Sequence, residues 1–194
     1  DRFMVAGHSS GGPYAVASAA MLPERVAALI VLAGVTDMGW SGAWAGFSAM
    51  ESRIMRLEDE RAAIAWCVET LGEDGGRFES VSDFEFAEPD AALFADPDAG
   101  PAIGRAVEEA FRQGIVGYAQ DAFVQGRPWT FDPGRITSPV RILHGALDHA
   151  VPMAHSRHTA DLIRGATLQV MPGHGHMTTL AELPAIAADV FGTR

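Results

Sequence analysis

The sequence predicts an α/β fold: a mainly parallel sheet flanked by helices, with a helical cap inserted into it. Three observations carry this. Short apolar runs of strand length alternate with stretches of helical spacing at both ends of the chain, and strands alternating with helices pair in parallel. Across residues 38–127 the strand signal disappears and apolar residues recur at helical intervals instead. At the end of the first run stands Gly7-His8-Ser9-Ser10-Gly11-Gly12, a G-x-S-x-G pattern between a strand and a helix.

Residues 2–6 read as a strand ending at this turn. Residues 10–22 read as a helix rich in small side chains, which let it approach the sheet closely, with Pro13 in the first turn, where proline is tolerated. The run VAALIVLA at 26–33 has the continuous apolar character of a strand covered on both faces, and Gly34-Val35-Thr36-Asp37 ends it. In the inserted block, Ile54, Leu57, Ile64, Val68 and Leu71 mark a helix that Gly72 and Gly75-Gly76 stop. Residues 80–101 are acidic, hold Pro89, Pro97 and Pro101, and read as loop and short helix. Val107, Phe111, Ile115, Tyr118 and Ala122 form a second helical stripe. The alternation then resumes with a strand at 140–144, a helix at 154–164, a strand at 167–171 and a closing helix at 180–191. The expected organisation is a core of residues 1–37 and 128–194 with a helical cap of residues 38–127.

A chain of 194 residues, 48% hydrophobic, can bury a single substantial core. Its net charge of -11 argues against a nucleic-acid partner, which favours a basic face. Much of the acid lies between Glu58 and Glu109 and reads as solvated surface. No apolar run approaches the ~20 residues that span a bilayer, so no membrane partner is expected. The single cysteine, Cys67, excludes an internal disulfide framework, fits a reducing, cytoplasmic compartment and falls in an apolar helical pattern, as a core residue does. Nothing in the sequence specifies an oligomeric state.

A serine hydroxyl becomes a nucleophile when a base takes its proton and an acid fixes that base. The G-x-S-x-G frame centres on Ser9; Ser10 has His8, not glycine, two positions before it. The acid should follow a strand. Asp148 does, in His144-Gly145-Ala146-Leu147-Asp148, and so does Asp37; the spacing to the later histidines favours Asp148. The base should be a histidine after the next strand, where His174 and His176 both stand. The 28 residues from Asp148 to His176 hold one helix and one strand, which brings both loops to the same edge of a parallel sheet.

With these three motifs in this order, the chain resembles the C-terminal two-thirds or so of α/β-hydrolase-fold proteins. The matching segments are residues 7–34, 138–156 and 165–180. The resemblance implies a P-G-x-G-H pattern, met by Pro172 to His176, which makes His176 the base. It implies an H-G-x-x-D-x-x-V-P pattern, met by His144 to Pro152, which supports Asp148 as the acid. The implied activity is that of a serine hydrolase cleaving an ester, amide or related carbonyl compound. The Ser10 N–H is one oxyanion-hole donor, and no cofactor or metal is needed. Serine at the elbow disfavours dehalogenase and epoxide-hydrolase chemistry. The alternative is a non-catalytic ligand-binding protein that keeps the triad residues. Family members have further strands before the elbow and a loop there that supplies the second oxyanion donor. The chain opens almost on the elbow, so it is expected to be part of a longer protein.

Other residues carry weaker signals. His8, beside Ser9, is expected to shape a substrate pocket. Trp40 and Trp44, with Phe47 and Trp66, are candidates either for that pocket or for the core of the cap. His155 and His158 read as a polar helix face, and the histidines form no strong metal-ligand pattern.

Overall fold

The computed structural model describes residues 1–192; the last two residues of the expected 128–194 segment lie outside the described residues. Strands β1 (Phe3–His8), β2 (Val26–Leu32), β3 (Val140–Gly145) and β4 (Thr167–Met171) form one sheet in the order β1-β2-β3-β4, and all neighbours are parallel. β1 and β4 are its two edges. β1 runs farther than the apolar run alone suggests, through Gly7 and His8 up to Ser9.

Helix α1 (Gly11–Met21) follows β1. Between β2 and β3 the chain forms six helices: α2 (Ala49–Met55), α3 (Glu60–Leu71), α4 (Phe78–Val81), α5 (Glu88–Ala95), α6 (Ala99–Phe111) and α7 (Val116–Gln125). After β3 come α8 (Met153–Leu162), α9 (His176–Ala181) and α10 (Leu183–Gly192).

Two helix layers sandwich the sheet, which explains why β2 is apolar along its length. On one face Ala15, Val16, Ala19 and Ala20 of α1 pack with Leu29, Val31, Ile142 and Ile163. On the other, Ile30, Leu32, Leu143 and Met171 meet Leu180, Leu183 and Ile186 of α9 and α10. Leu29, Ile30, Leu32, Ile142 and Leu143 are fully buried, and each such side chain contributes roughly 1.5–3 kcal/mol of transfer free energy. A separate cluster joins α2, α3 and α7 through Ile54, Ala63, Cys67, Leu71, Ile115, Ala119 and Ala122.

Three details differ from the sequence reading. The stripe from Val107 to Ala122 is two helices, because Gly114 takes φ +84° and the Ile115 N–H turns away to donate to the Glu73 carbonyl. Helix α6 starts inside the acidic stretch and takes Pro101 into its first turn, where the missing N–H costs no hydrogen bond. The closing helix is broken into α9 and α10, and α9 begins at His176 itself. Among the described residues no helix is long and apolar enough to cross a membrane.

A parallel sheet delivers the C-terminal ends of its strands to one edge. Ser9 follows β1, Asp37 follows β2, Asp148 follows β3 and His176 follows β4.

Candidate active site

Ser9 holds φ +54°, a conformation that side-chain-bearing residues rarely adopt. Neighbouring backbone fixes it there. The Ser9 N–H donates to the Leu32 carbonyl at the end of β2 (3.0 Å), and the Ser9 carbonyl accepts from Gly12 N (3.0 Å) and Val35 N (3.1 Å). The glycines around it differ in need. A Cβ on Gly7 would stand 2.7 Å from Ala15 Cβ, and one on Gly12 would stand 2.8 Å from Gly34 Cα, whereas Gly11 has open space. The strand–helix crossing is thus kept close by Gly7 and Gly12. Ser10 is the residue before α1 and makes no side-chain cap, so its N–H lies at the positive end of the helix dipole.

His176 Nδ1 donates to Asp148 Oδ2 at 2.9 Å, which leaves Nε2 with its lone pair. Asp148 Oδ1 accepts from Ala150 N and Val151 N, both at 2.9 Å, and its side chain is fully buried. Burial works against the Asp148 charge, but the hydrogen bond and proximity of His176, the Val151 N–H and nearby His144 outweigh it and hold the carboxyl below its ordinary range. His144 is itself buried. Its Nε2 donates to the Val151 carbonyl (3.0 Å), 3.5 Å from Asp148 Oδ2, and its Nδ1 accepts from the Ser156 hydroxyl (2.7 Å). Desolvation lowers the His144 pKa, so it stays neutral and braces the loop that carries Asp148.

His8 lies against the base. Its ring centroid is 4.5 Å from that of His176, and its Nε2 donates to the His176 carbonyl at 3.0 Å. A carbonyl only accepts, so His8 is the Nε2–H tautomer. Burial, then the nearby His176, push its pKa down to about 4, which keeps the ring neutral.

A cavity of about 240 Å³ is lined by Ser9, His8 and His176 together with Phe78, Phe84, Phe86, Ala150 and Met177. The structure thus brings together Ser9, His176, Asp148 and His8, with Ser10 next to Ser9. It does not bring Trp40 or Trp44 to this cavity. Trp40 stacks on His158 (4.2 Å, 12°), Trp44 lies under the Arg56 guanidinium (4.0 Å), and both pack around Val35, Met38, Ala43 and Val151. Their apolar area is used to cement the loop after β2. Asp37 braces that same loop, accepting from Gly39 N (2.9 Å) and Trp129 N (3.0 Å), and makes no bond to His176. His174 points elsewhere, to Glu182 (3.2 Å). His155 is not on a polar face: it is fully buried, accepts from Thr36 N and donates to the Ala43 carbonyl (2.8 Å).

Sequence reasoning missed Asp90. This α5 residue is completely buried, and it reaches across to the start of α9. Oδ2 accepts from His176 N (2.8 Å), and Oδ1 accepts from both Thr178 N and the Thr178 hydroxyl (2.9 Å each). A helix-start amide needs such a partner, and here it comes from a residue 86 positions away rather than from a local cap. Gly175 makes the approach possible, since a Cβ there would stand 2.6 Å from Asp90 Cγ. No local signal marks Asp90; the only hint was Gly175 preceding the base.

Comparison with known proteins places the fold. No curated protein matches the chain. Among solved structures, a hydrolase from Pseudomonas aeruginosa PA01 superposes with a TM-score of 0.53 and 20% identity, over 98% of this chain and 65% of that one. MGS-M2, an alpha/beta hydrolase enzyme from a Medee basin deep-sea metagenome library, gives 0.63 and 14%, over 98% and 64%. A thermophilic esterase from Thermogutta terrifontis gives 0.59 and 22%, over 97% and 65%. The chain therefore spans a little under two thirds of the length of each. The sequence matches the alpha/beta hydrolase family over residues 1–190, nearly its whole length, and the chain belongs to that family.

Proposed function

We propose that this chain carries the catalytic triad of a serine hydrolase acting on an ester, amide or related small-molecule carbonyl compound. The observation that carries the reading is the His176–Asp148 pair: Nδ1 is bonded to the acid at 2.9 Å, while the imidazole and Ser9 line one cavity. His176 Nε2 takes the Ser9 proton as Oγ adds to the carbonyl carbon. It then returns that proton to the leaving group, and water releases the acyl group by the same route in reverse. Asp148 stays ionised and stabilises the imidazolium. The Ser10 N–H, at the head of α1, faces the developing oxyanion; a donor of this kind is worth on the order of 3 kcal/mol in the transition state. His8 and Asp90 grip the His176 backbone from two sides, through its carbonyl and its N–H. Residues 38–127 act as a cap, supplying Phe78 of α4 and Phe84 and Phe86 of the connection to α5 to the cavity. The likeness to a thermophilic esterase is in keeping with ester chemistry.

A fluorophosphonate probe tests the reading. Labelling of the wild-type chain that vanishes in Ser9→Ala supports it. A folded chain that resists the probe yet binds small ligands argues for a non-catalytic binding protein.

A further inference from the structure

The cavity at Ser9 has a larger neighbour. Four of its walls, Phe78, Phe84, Phe86 and Met177, are also walls of a second cavity of about 590 Å³ that extends between α4, α5 and α6. That volume is in the range of small-ligand sites, ~300–1,000 Å³. Phe94, Ile103 and Val107 complete its apolar lining, and its polar side chains are Glu79 and Ser82. Among the described residues no cation lines it, and apart from Glu79 and Ser82 its side chains offer hydrocarbon.

Helix α6 makes a second, independent observation. Ile103, Val107 and Phe111 form a stripe along it, with Phe111 packed against Phe78 and Tyr118, while Arg105 and Glu109 are exposed. An amphipathic helix normally seats its stripe on a core. None of α6 is buried, and Ile103 and Val107 border the cavity instead. Gly104 borders it too. Glycine weakens a helix interior relative to alanine, and close packing does not require it here, because nothing lies within 4 Å of where its Cβ would stand. What Gly104 provides is room beside the stripe.

We propose that this cavity receives the acyl arm of the substrate, and that the arm is a hydrocarbon chain of medium length. The inference rests on the triad reading for the placement of the carbonyl at Ser9. The arm that crosses the shared walls into the neighbouring cavity is assigned as the acyl arm, because it stays attached through both half-reactions while the alcohol or amine departs. Burying it against Ile103, Val107 and the three phenylalanines supplies Ile103 and Val107 with the apolar partner that Phe111 already has in Phe78 and Tyr118.

Two measurements test this separately from the triad. In Ser9→Ala, binding of straight-chain methyl ketones from 2-pentanone to 2-undecanone is followed by calorimetry. Affinity should rise by roughly fourfold per methylene buried, until the cavity is full. Gly104→Leu builds a side chain into open space and should abolish the gain for the longer ketones; Arg105→Ala, on an exposed position of the same helix, should keep it. In the chain with Ser9 intact, kcat/KM for p-nitrophenyl esters should rise from acetate to decanoate, and Gly104→Leu should flatten that rise. Chain-length-dependent ketone binding without hydrolysis would uphold the cavity and overturn the triad. Ketone affinity independent of length, or unchanged by Gly104→Leu, would overturn the acyl-arm assignment, even if the esters are cleaved.

Discussion

Replacing Asp90 by Asn tests how the base is held. The side chain keeps its size, and one oxygen still accepts from Thr178. With the oxygen kept by the two Thr178 donors, the amide nitrogen faces the His176 N–H, donor against donor. One buried amide at the start of α9 is left unsatisfied, at a cost of about 1–3 kcal/mol. For a chain of this length, 1 kcal/mol corresponds to roughly 2–4 °C in Tm, so Asp90→Asn should melt about 2–12 °C lower. Asp90→Ala orphans both amides and should cost about 2–6 kcal/mol, enough to threaten folding, which makes Asn the informative variant. Because the lost bond is to the backbone of the base itself, the imidazole moves with it. A displacement near 1 Å can cost ~10²-fold in rate. The assay is the second-order rate of fluorophosphonate labelling, beside thermal unfolding by circular dichroism. The expected result is a 10- to 100-fold slower reaction in protein that is folded at the assay temperature. A lower Tm with an unchanged labelling rate would refute the argument that Asp90 positions His176.

Asp148→Asn should slow labelling by on the order of 10⁴-fold, because an amide nitrogen facing Nδ1 forces the wrong imidazole tautomer; a loss under tenfold would contradict the assigned hydrogen bond. His155, fully buried, has its pKa lowered to about 4 from 6.5, by desolvation first. The unfolded chain thus binds a proton that the folded one refuses, so stability should fall as pH drops from about 6.5 to about 4, by up to ~3 kcal/mol from this group. Urea titrations across that window should show a shallower pH slope for His155→Gln. Burial, then Glu51, push the Cys67 thiol up to about 11, so it should resist a disulfide reagent in native protein and react once urea unfolds the chain. Rapid reaction in buffer would contradict its place in the core.

Much of the fold was legible because it is written locally. The run at 26–33 is apolar without alternation, as a strand buried on both faces must be, and β2 is so buried. Gly7-His8-Ser9 is legible for the same reason: the turn needs glycine at Gly7 to let α1 approach β1. Other features depend on contacts that no local pattern encodes. The stripe from Val107 to Ala122 keeps helical spacing through Gly114, yet Glu73, far away in sequence, captures the Ile115 amide and divides it. Trp40 and Trp44 have the composition of pocket residues, but His158 and Arg56 cover their faces. Asp90 reads as one acid in an acidic stretch; only the chain's return at β4 places the α9 amides above it.

The central claim is that His176 activates Ser9. The most direct measurement is the site of phosphonylation, by peptide mapping of the labelled wild-type chain and of His176→Ala. The account predicts a single stoichiometric adduct on Ser9, with Ser10 unmodified, and its loss in His176→Ala. An adduct on Ser10, or labelling of Ser9 at an equal rate without His176, would contradict it.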